Sequence, residues 1–390
     1  MKLVFIHLAE KIKKDIEGNV YTDGSYDMHI WNRYLKLFDT ITLVMRSATN
    51  IYSVEEAQKK FNIISSDKIF CKFVPDRNSS LFSYFNPVLR LRRKEIIENE
   101  INQSDAVIVR LPGEGKVIDY AKKGKKKCMV EVVGCPFDTL WNHSLKGKLL
   151  AIPSYLKLRR VMKKAEYAIY VTNEFLQKRY PTSGKQIGCS DAFIREQNFE
   201  IRTKNKKEII LGTAAATDIK YKGQQYVIKA LYNLKKQSDI RYIYQIVGNG
   251  DTEYLRSIVR KYNLSDSIVF RGSIPHSDMD DWYRSLDIYI QPSTQEGLPR
   301  ALIEAMSNSI ACIGSDAGGI PELLENELIF HKRNVKQLED RILFFSNFEN
   351  RKHNAEKCYL KSQNYIYDKL EQKRLTFMKE VFTEENNGEK

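Results

Sequence analysis

The feature that most constrains this chain is a repeated alternation of short apolar runs with stretches of helical period. In the first half, Lys2–Leu8, Thr40–Arg46, Ile69–Val74, Ala106–Leu111, Cys128–Val133 and Tyr167–Thr172 read as strands. In the second half the strand candidates are Glu208–Ala215, Tyr242–Gly248, Ser267–Ser273, Ile288–Gln291, Ile310–Ser315 and Glu327–Phe330. Between them, sets such as Trp31, Tyr34, Leu35 and Phe38, or Leu255, Ile258, Val259 and Tyr262, recur at the spacing of one helix face. Near-continuous apolar strands alternating with helices imply parallel sheets covered on both faces. Twelve such strands exceed what one open sheet of this kind holds, so the pattern predicts two doubly wound α/β domains facing a cleft. The boundary falls in the polar run 199–207, which gives domains at 1–200 and 201–360. Residues 349–382 read as a long polar helical stretch, and Thr383–Lys390 as a disordered tail.

Composition narrows the function. At 42% hydrophobic residues over 390 positions, the chain has ample material for two cores and is neither disordered nor a small stapled scaffold. Six cysteines without short paired spacings suggest no disulfide framework and no zinc knuckle, which points to the reducing cytoplasm. The apolar N-terminus reads as a first strand rather than a signal peptide, and no run approaches the roughly 20 residues of a membrane helix. Charge is unevenly spread. Residues 1–200 hold 34 Lys+Arg against 23 Asp+Glu, a net +11; residues 201–390 hold 29 against 26, a net +3. The excess clusters in Leu89–Lys94, Lys122–Lys127 and Lys157–Lys164. Such clusters attract anions, and the apolar residues beside them in Leu145–Lys164 suggest an anionic membrane surface. Pro153 interrupts that stretch, so a helix is expected to begin there. The clusters lack the aromatic interleaving of a nucleic-acid module, so no nucleic-acid partner is expected.

Ligands of open α/β sheets bind outside the carboxyl ends of the strands, so the loops after strands carry the search. The strongest segment is Gln291–Leu324, QPSTQEGLPRALIEAMSNSIACIGSDAGGIPELL. It leaves a buried strand, turns at Glu296-Gly297, and starts a helix with Pro299 as its first residue. That helix N-terminus offers unpaired N–H groups to a phosphate. Two acids beside an anion site, Glu296 and Glu304, make sense if they accept hydrogen bonds from hydroxyl groups, and a sugar nucleotide offers a diphosphate between two polyols.

This segment resembles the signature of the retaining glycosyltransferases of family four, which have the GT-B fold: two acids with seven residues between them, then a Gly-rich turn and a Pro-Glu. The resemblance spans most of residues 207–330 and includes Tyr221-Lys222-Gly223, Val247–Asp251 and Phe270–Ser273. It implies two Rossmann-like domains, the first binding acceptor and the second binding nucleotide-sugar, with the C-terminal helix of residues 361–390 returning to the first. By the same resemblance, Glu296 contacts donor-sugar hydroxyls and Glu304 the ribose, while the backbone near Gly297, Leu298 and Pro299 holds the pyrophosphate. Lys222 matches the family's phosphate lysine, placed to stabilise the leaving diphosphate. The arginine that usually accompanies it is missing from the upstream GTAAATDIKY, and Lys220 and Arg300 are the candidate replacements. Gly248 and Gly250 match a turn beside the nucleotide, and Ser273 and Ile274 the segment along the base. In the first half, Gly24-Ser25 sits where the family has its Gly-rich loop. The stretch Glu131–His143 looks like that of polysaccharide-assembly members; Asp138 and His143 are the catalytic and acceptor-side candidates there. Arg110, at a strand end, is a candidate for an acceptor phosphate or carboxylate.

The function implied is transfer of a sugar from a UDP- or GDP-sugar to a hydroxyl of a glycan or lipid-linked glycan. Configuration would be retained and the product would be a cell-surface polysaccharide such as capsule or lipopolysaccharide. The enzyme would lie in the cytoplasm, peripheral on the inner face of the membrane. No Asp-x-Asp metal pair is evident outside the polar helix start at Asp278–Asp280, so neither metal nor cofactor is expected. An epimerase or hydrolase of the same fold, or a non-catalytic sugar-nucleotide-binding partner, are the alternative readings.

Overall fold

A computed structural model describes residues 1–22, 26–76, 80–200 and 208–383. Gly24, Ser25, most of the 199–207 boundary and the tail after Thr383 lie outside the described residues. The first sheet is built from β1 (Lys2–Asp15), β2 (Val20–Thr22), β3 (Thr40–Tyr52), β4 (Asn62–Ile63), β5 (Ile69–Val74), β6 (Ala106–Leu111), β7 (Lys127–Val132), β8 (Tyr167–Tyr170) and β9 (Lys185–Gly188). The second contains β10 (Glu208–Ala214), β11 (Arg241–Val247), β12 (Ile268–Gly272), β13 (Ile288–Gln291), β14 (Ala311–Ser315) and β15 (Ile329–Phe330).

The parallel strands of the second sheet run β12-β11-β10-β13-β14-β15, and those of the first run β5-β3-β1-β6-β7-β8-β9. Both orders go outward from a first strand in one direction and then resume on its other side. Each sheet therefore has a switch point, between β1 and β6 and between β10 and β13, where loops diverge and leave a crevice. Strands such as β6, β13 and β14 are buried at every residue, which explains their unbroken apolar reading. The fold is the expected pair of doubly wound α/β domains.

Several local features depart from the sequence reading. β1 and β3 continue past Leu8 and Arg46 to Asp15 and Tyr52, and short antiparallel partners β2 and β4 join the extension. Lysines in that extension masked its strand character. The helix expected to begin at Pro153 starts instead at Leu145, with the Ser144 hydroxyl accepting from the Gly147 N–H, and contains Pro153 in its interior. The expected single helix of residues 349–382 is two, Phe348–Ser362 and Tyr367–Phe382, broken by a turn at Gln363–Tyr365. Among the described residues, no helix is long and apolar enough to cross a membrane.

The break lets the last helix return to the first domain. Ile366 forms a parallel bridge with Ile194, and Phe382 packs edge-on against Phe38. Between these contacts lies a buried ion cluster. Arg374 donates to Asp191 (2.8 Å) and Glu131 (3.4 Å); Arg110 donates to Glu131 (2.8 Å) and also to Asp191; Arg33 donates to Asp191 (3.3 Å) and to Glu371. The Tyr34 hydroxyl donates to Glu131 at 2.8 Å. Three guanidiniums thus face three carboxylates. Burial alone would raise the Asp191 carboxyl, but Arg110, Arg374 and Arg33 hold it well below the usual carboxylate range. This corrects the expectation for Arg110, which is a buried member of the cluster and not a strand-end charge offered to an acceptor.

Removing one partner from a buried ion cluster leaves charge uncompensated and costs about 3–5 kcal/mol. Arg374→Met should lower unfolding free energy by that order in denaturant titrations. Asp191 has a folded pKa below its unfolded one, so its stabilisation is present above about pH 4 and is lost as pH falls through the folded value. The wild type should therefore lose stability steadily below about pH 4, and Asp191→Asn should flatten that part of the profile.

Candidate functional site

The cleft lies at the two switch points and has a volume of about 770 Å³. Its second-domain wall begins with β13. After Gln291 the chain passes through Pro292–Leu298, Pro299 caps with extended backbone (ψ 113°), and the helix runs from Arg300 to Ser307. Pro299 is thus the cap, one position before the helix start expected from its sequence.

Backbone contacts hold this turn from three sides. The Thr294 N–H donates to the Tyr221 carbonyl at 2.7 Å, the Gly319 N–H to the Gly297 carbonyl at 2.7 Å, and the Ser315 hydroxyl to the Ser293 carbonyl at 2.5 Å. Two glycines make this closeness possible. Gly223 (φ +85°) leaves no room for a side chain, since a Cβ there would lie 2.0 Å from the Pro292 carbonyl oxygen. Gly318 (φ +58°) is in the same position toward the Glu296 carbonyl, at 2.1 Å.

Within this frame the Glu296 Oε1 accepts from Lys222 Nζ (2.8 Å), Ser293 Oγ (2.7 Å) and Gln291 Nε2 (3.2 Å). Burial works against the Lys222 ammonium, but the charge and hydrogen bond of Glu296 hold its pKa above the ordinary lysine value. Lys222 therefore stays a cation in the cleft. Glu304, on the helix, accepts from the Tyr283 hydroxyl at 2.9 Å. Tyr283 is buried, and burial together with Glu304 raises its pKa well above the ordinary value, so it remains a donor. The arrangement offers a cation, a helix N-terminus and two oriented carboxylates along one wall.

Of the residues singled out from sequence, Lys222, Glu296, Leu298, Pro299, Arg300 and Glu304 line the cleft. Others do not. Lys220 is exposed, with its ammonium 4.4 Å from the Tyr254 ring centroid. Gly248 and Gly250 have positive φ, but their close approach is to Ala215 and Asp218 in the loop after β10. Ser273 faces Asn249 and helix Val54–Lys60 across a different cavity, and Ile274 packs on the core. Gly297 meets the Val133 carbonyl of the first domain; a Cβ there would lie 2.9 Å from it. Asp138 is paired with Arg179 at 3.1 Å, and His143 is exposed at the end of helix Pro136–His143. Among the described residues, no group of three or more His, Cys, Asp or Glu side chains could hold a metal ion.

The first-domain wall was not legible in advance. It includes Asp27, Arg33 and Asp191, together with an aromatic group in which His29 and Tyr367 both pack on Phe193. Arg33 and Asp191 extend the buried ion cluster to the cleft surface. The domains also meet at Glu322, whose carboxylate accepts from the N–H groups of Asn173 (2.6 Å), Glu174 (3.1 Å) and Phe175 (2.6 Å). Glu322 is the acid of the Pro-Glu pair already conspicuous in the sequence; its partners, on a loop of the other domain, carry no sequence signal.

The family model described as "Glycosyl transferases group 1" matches residues 194–358. Protein CapJ of Staphylococcus aureus is 33% identical over 352 residues, covering 87% of this chain and 84% of that protein. The amylovoran biosynthesis glycosyltransferase AmsK of Erwinia amylovora is 32% identical over 126 residues, 30% of each chain. Among solved structures, sucrose-phosphate synthase from Thermosynechococcus elongatus matches with a TM-score of 0.68 at 12% identity, over 98% of this chain and 99% of that one. Anabaena HepE in complex with UDP matches with a TM-score of 0.66 at 13% identity, over 97% and 100%. At such low identity these structures speak to the fold alone, and they agree with the GT-B arrangement of two Rossmann-like sheets. Similarity to CapJ over most of both chains, with the motif acids inside the matched family segment, decides the rest: this chain belongs to the group 1 glycosyltransferases.

Proposed function

We propose that the chain transfers a sugar from a UDP- or GDP-sugar to a hydroxyl of a glycan or lipid-linked glycan, with retention of configuration. The setting proposed is cell-surface polysaccharide biosynthesis at the inner face of the membrane. The observation that carries this reading is the Lys222–Glu296 pair at the mouth of helix Arg300–Ser307, with Glu304 one and a half turns along it. The polysaccharide setting draws support from AmsK, named for amylovoran biosynthesis, and the donor class from HepE, solved with UDP.

In the proposed reaction the diphosphate sits at the helix N-terminus, where the dipole and free N–H groups favour negative charge. Charge grows on the leaving phosphate as the glycosidic bond breaks, and Lys222, with Arg300 beside it on the cleft wall, meets that charge. Glu296 then exchanges part of its contact with Lys222 for donor-sugar hydroxyls, and Glu304, oriented by Tyr283, accepts from the ribose. The acceptor oxygen attacks from the same face, and its proton passes to the departing phosphate. This route needs a well-placed phosphate more than a protein nucleophile.

A screen of nucleotide-sugars, read as nucleoside diphosphate release with and without a lipid-linked acceptor, tests the reading. Acceptor-dependent release from one donor supports it; release that ignores acceptor makes the chain a hydrolase, and no release from any donor leaves a binding protein. Because protein cations supply the phosphate charge in this reading, activity should survive EDTA. Lys222→Ala should depress turnover by about 100-fold or more. Complete loss on chelation, restored by manganese, would overturn this part.

The two acids should separate. Glu304→Gln removes a ribose acceptor at a cost of about 1–3 kcal/mol, so it should raise the donor Michaelis constant more than it lowers turnover. It should also weaken inhibition by the free nucleoside diphosphate, which has ribose but no sugar. Glu296→Gln should act mainly on turnover and leave that inhibition nearly unchanged. Equal weakening by both, or by neither, means that the roles are wrongly divided.

A further inference from the structure

The turn that carries Glu296 is held within its own domain, but the residues on either side of Glu296 reach across to the other one. Gln295 donates from Nε2 to the Thr139 hydroxyl at 2.9 Å, and Thr139 donates in turn to the Cys135 carbonyl at 3.1 Å. Because that hydroxyl spends its proton on Cys135, it can only accept from Gln295, which fixes the orientation of the amide. Gly297 meets the Val133 carbonyl, since a Cβ there would lie 2.9 Å from its oxygen. Val133, Cys135 and Thr139 belong to one piece of chain, the loop after β7 and the helix Pro136–His143 that follows it. Glu296 is therefore straddled by two contacts to the same segment of the first domain.

A second tie reaches the same helix. Arg333 donates to the Asn142 side-chain oxygen at 3.0 Å, and Asn142 lies three positions after Thr139, on the same helix face. Arg333 holds a left-handed backbone (φ +70°), a conformation that is costly for a bulky residue and persists where the surroundings fix it. From its own domain the helix is held by Arg179, which donates to Asp138 at 3.1 Å and lies 4.9 Å from the Phe137 ring centroid. Stability does not account for the Gln295 contact. The bond lies exposed at the seam, and the other end of the amide, Oε1, is buried without a partner among the described residues, which is unfavourable. What the contact fixes is geometry, the Glu296 turn against segment 133–139.

We propose that Gln295 is a positioning residue for sugar transfer. Its bond to Thr139 sets the spacing between the donor turn and the first domain, and hence the gap between the attacking oxygen and the anomeric carbon. The inference rests on the glycosyl-transfer reading, in which the second domain holds the donor and the first the acceptor. An error of about 1 Å in such a gap costs about 100-fold in rate. The Gln295–Thr139 bond is one of several contacts at the seam, so its loss should displace the turn by a fraction of that and cost about tenfold.

The test measures nucleoside diphosphate release by the full chain, at saturating acceptor, from the nucleotide-sugar that the donor screen identifies. Gln295→Ala and Thr139→Val should each lower acceptor-dependent turnover about tenfold. The donor Michaelis constant and inhibition by the free nucleoside diphosphate should stay at wild-type values. The double variant should be no slower than either single one, because both remove the same bond. Thr139→Ser, which keeps the hydroxyl, should turn over like wild type. Thermal unfolding unchanged from wild type confirms that each variant is folded. Additive losses in the double variant overturn the proposal. So does a loss of nucleoside-diphosphate inhibition that matches the loss of turnover, since the effect would then be a general disturbance of the donor site. No release by the wild type from any nucleotide-sugar overturns the glycosyl-transfer reading and this role with it; wild-type release that Gln295→Ala and Thr139→Val match overturns the positioning role alone.

Discussion

The first-domain side of the cleft and the seating of the last helix depend on the buried cluster of Arg33, Arg110 and Arg374 with Glu131, Asp191 and Glu371. It joins β6, β7, the segment after β9, the helix Met28–Leu35 and the last helix of the chain, five pieces distant in sequence. Buried charge is expensive to desolvate, and such a cluster is tolerable only when its partners are matched in number and geometry. A wrong register of the last helix would leave a guanidinium or carboxylate alone. The apolar contacts of Phe377, Met378, Val381 and Phe382 supply attraction, but the charges favour one seating. Asp191 and Arg33 then emerge on the cleft wall, so the same cluster that fixes the C-terminus also sets the electrostatics of the first-domain side.

On the second-domain side the frame is backbone. Gly223 and Gly318 allow two loops to close on the Pro292–Gly297 turn from opposite directions, and each would be blocked by a single methyl group. Three donors converge on one oxygen of Glu296, so its carboxylate has little rotational freedom before any ligand arrives. The proposed chemistry asks for phosphate positioning above all, and this wall is correspondingly stiff.

That contrast explains what was legible. The ends of β6 and β13 were readable to the residue, because buried parallel strands are near-continuously apolar and bounded by polar turns; those of β5 were too, although only its first and last residues are buried. Glu296, Glu304 and Lys222 were readable as cleft residues through the resemblance, whose motif fixes their spacing. β2, β4 and β9 were not, since they are short and lack the unbroken apolar burial that marks the equally short β13. Arg110 was misplaced because a strand-end arginine looks the same in sequence whether it meets solvent or Glu131. Lys220 looked like a partner for Lys222 two positions away, but the 3-10 turn at Lys220–Lys222 sends its side chain to Tyr254 instead. The first-domain wall is assembled from residues 27, 33, 191, 193 and 367, and no local pattern announces such an assembly.

The interface between the domains differs at its two edges. At the outer edge the contacts are polar and exposed: Glu322 on the 173–175 backbone, Gln295 donating to Thr139 at 2.9 Å, and Arg333 donating to Asn142 at 3.0 Å. Each such bond exchanges readily with water, so the set is worth little net energy. At the inner edge the chain crosses between domains beside the Ile194–Ile366 bridge, with Tyr365 and Ile366 buried. Separating that edge would expose apolar surface and strand an internal hydrogen bond between the Tyr367 N–H and the Ile194 carbonyl. The domains are therefore held together more firmly beside residues 194 and 366 than at Glu322. Between the two edges Gly297 meets the Val133 carbonyl so closely that a Cβ would lie 2.9 Å from it, so the turn carrying Glu296 is packed against the first domain as well as against its own.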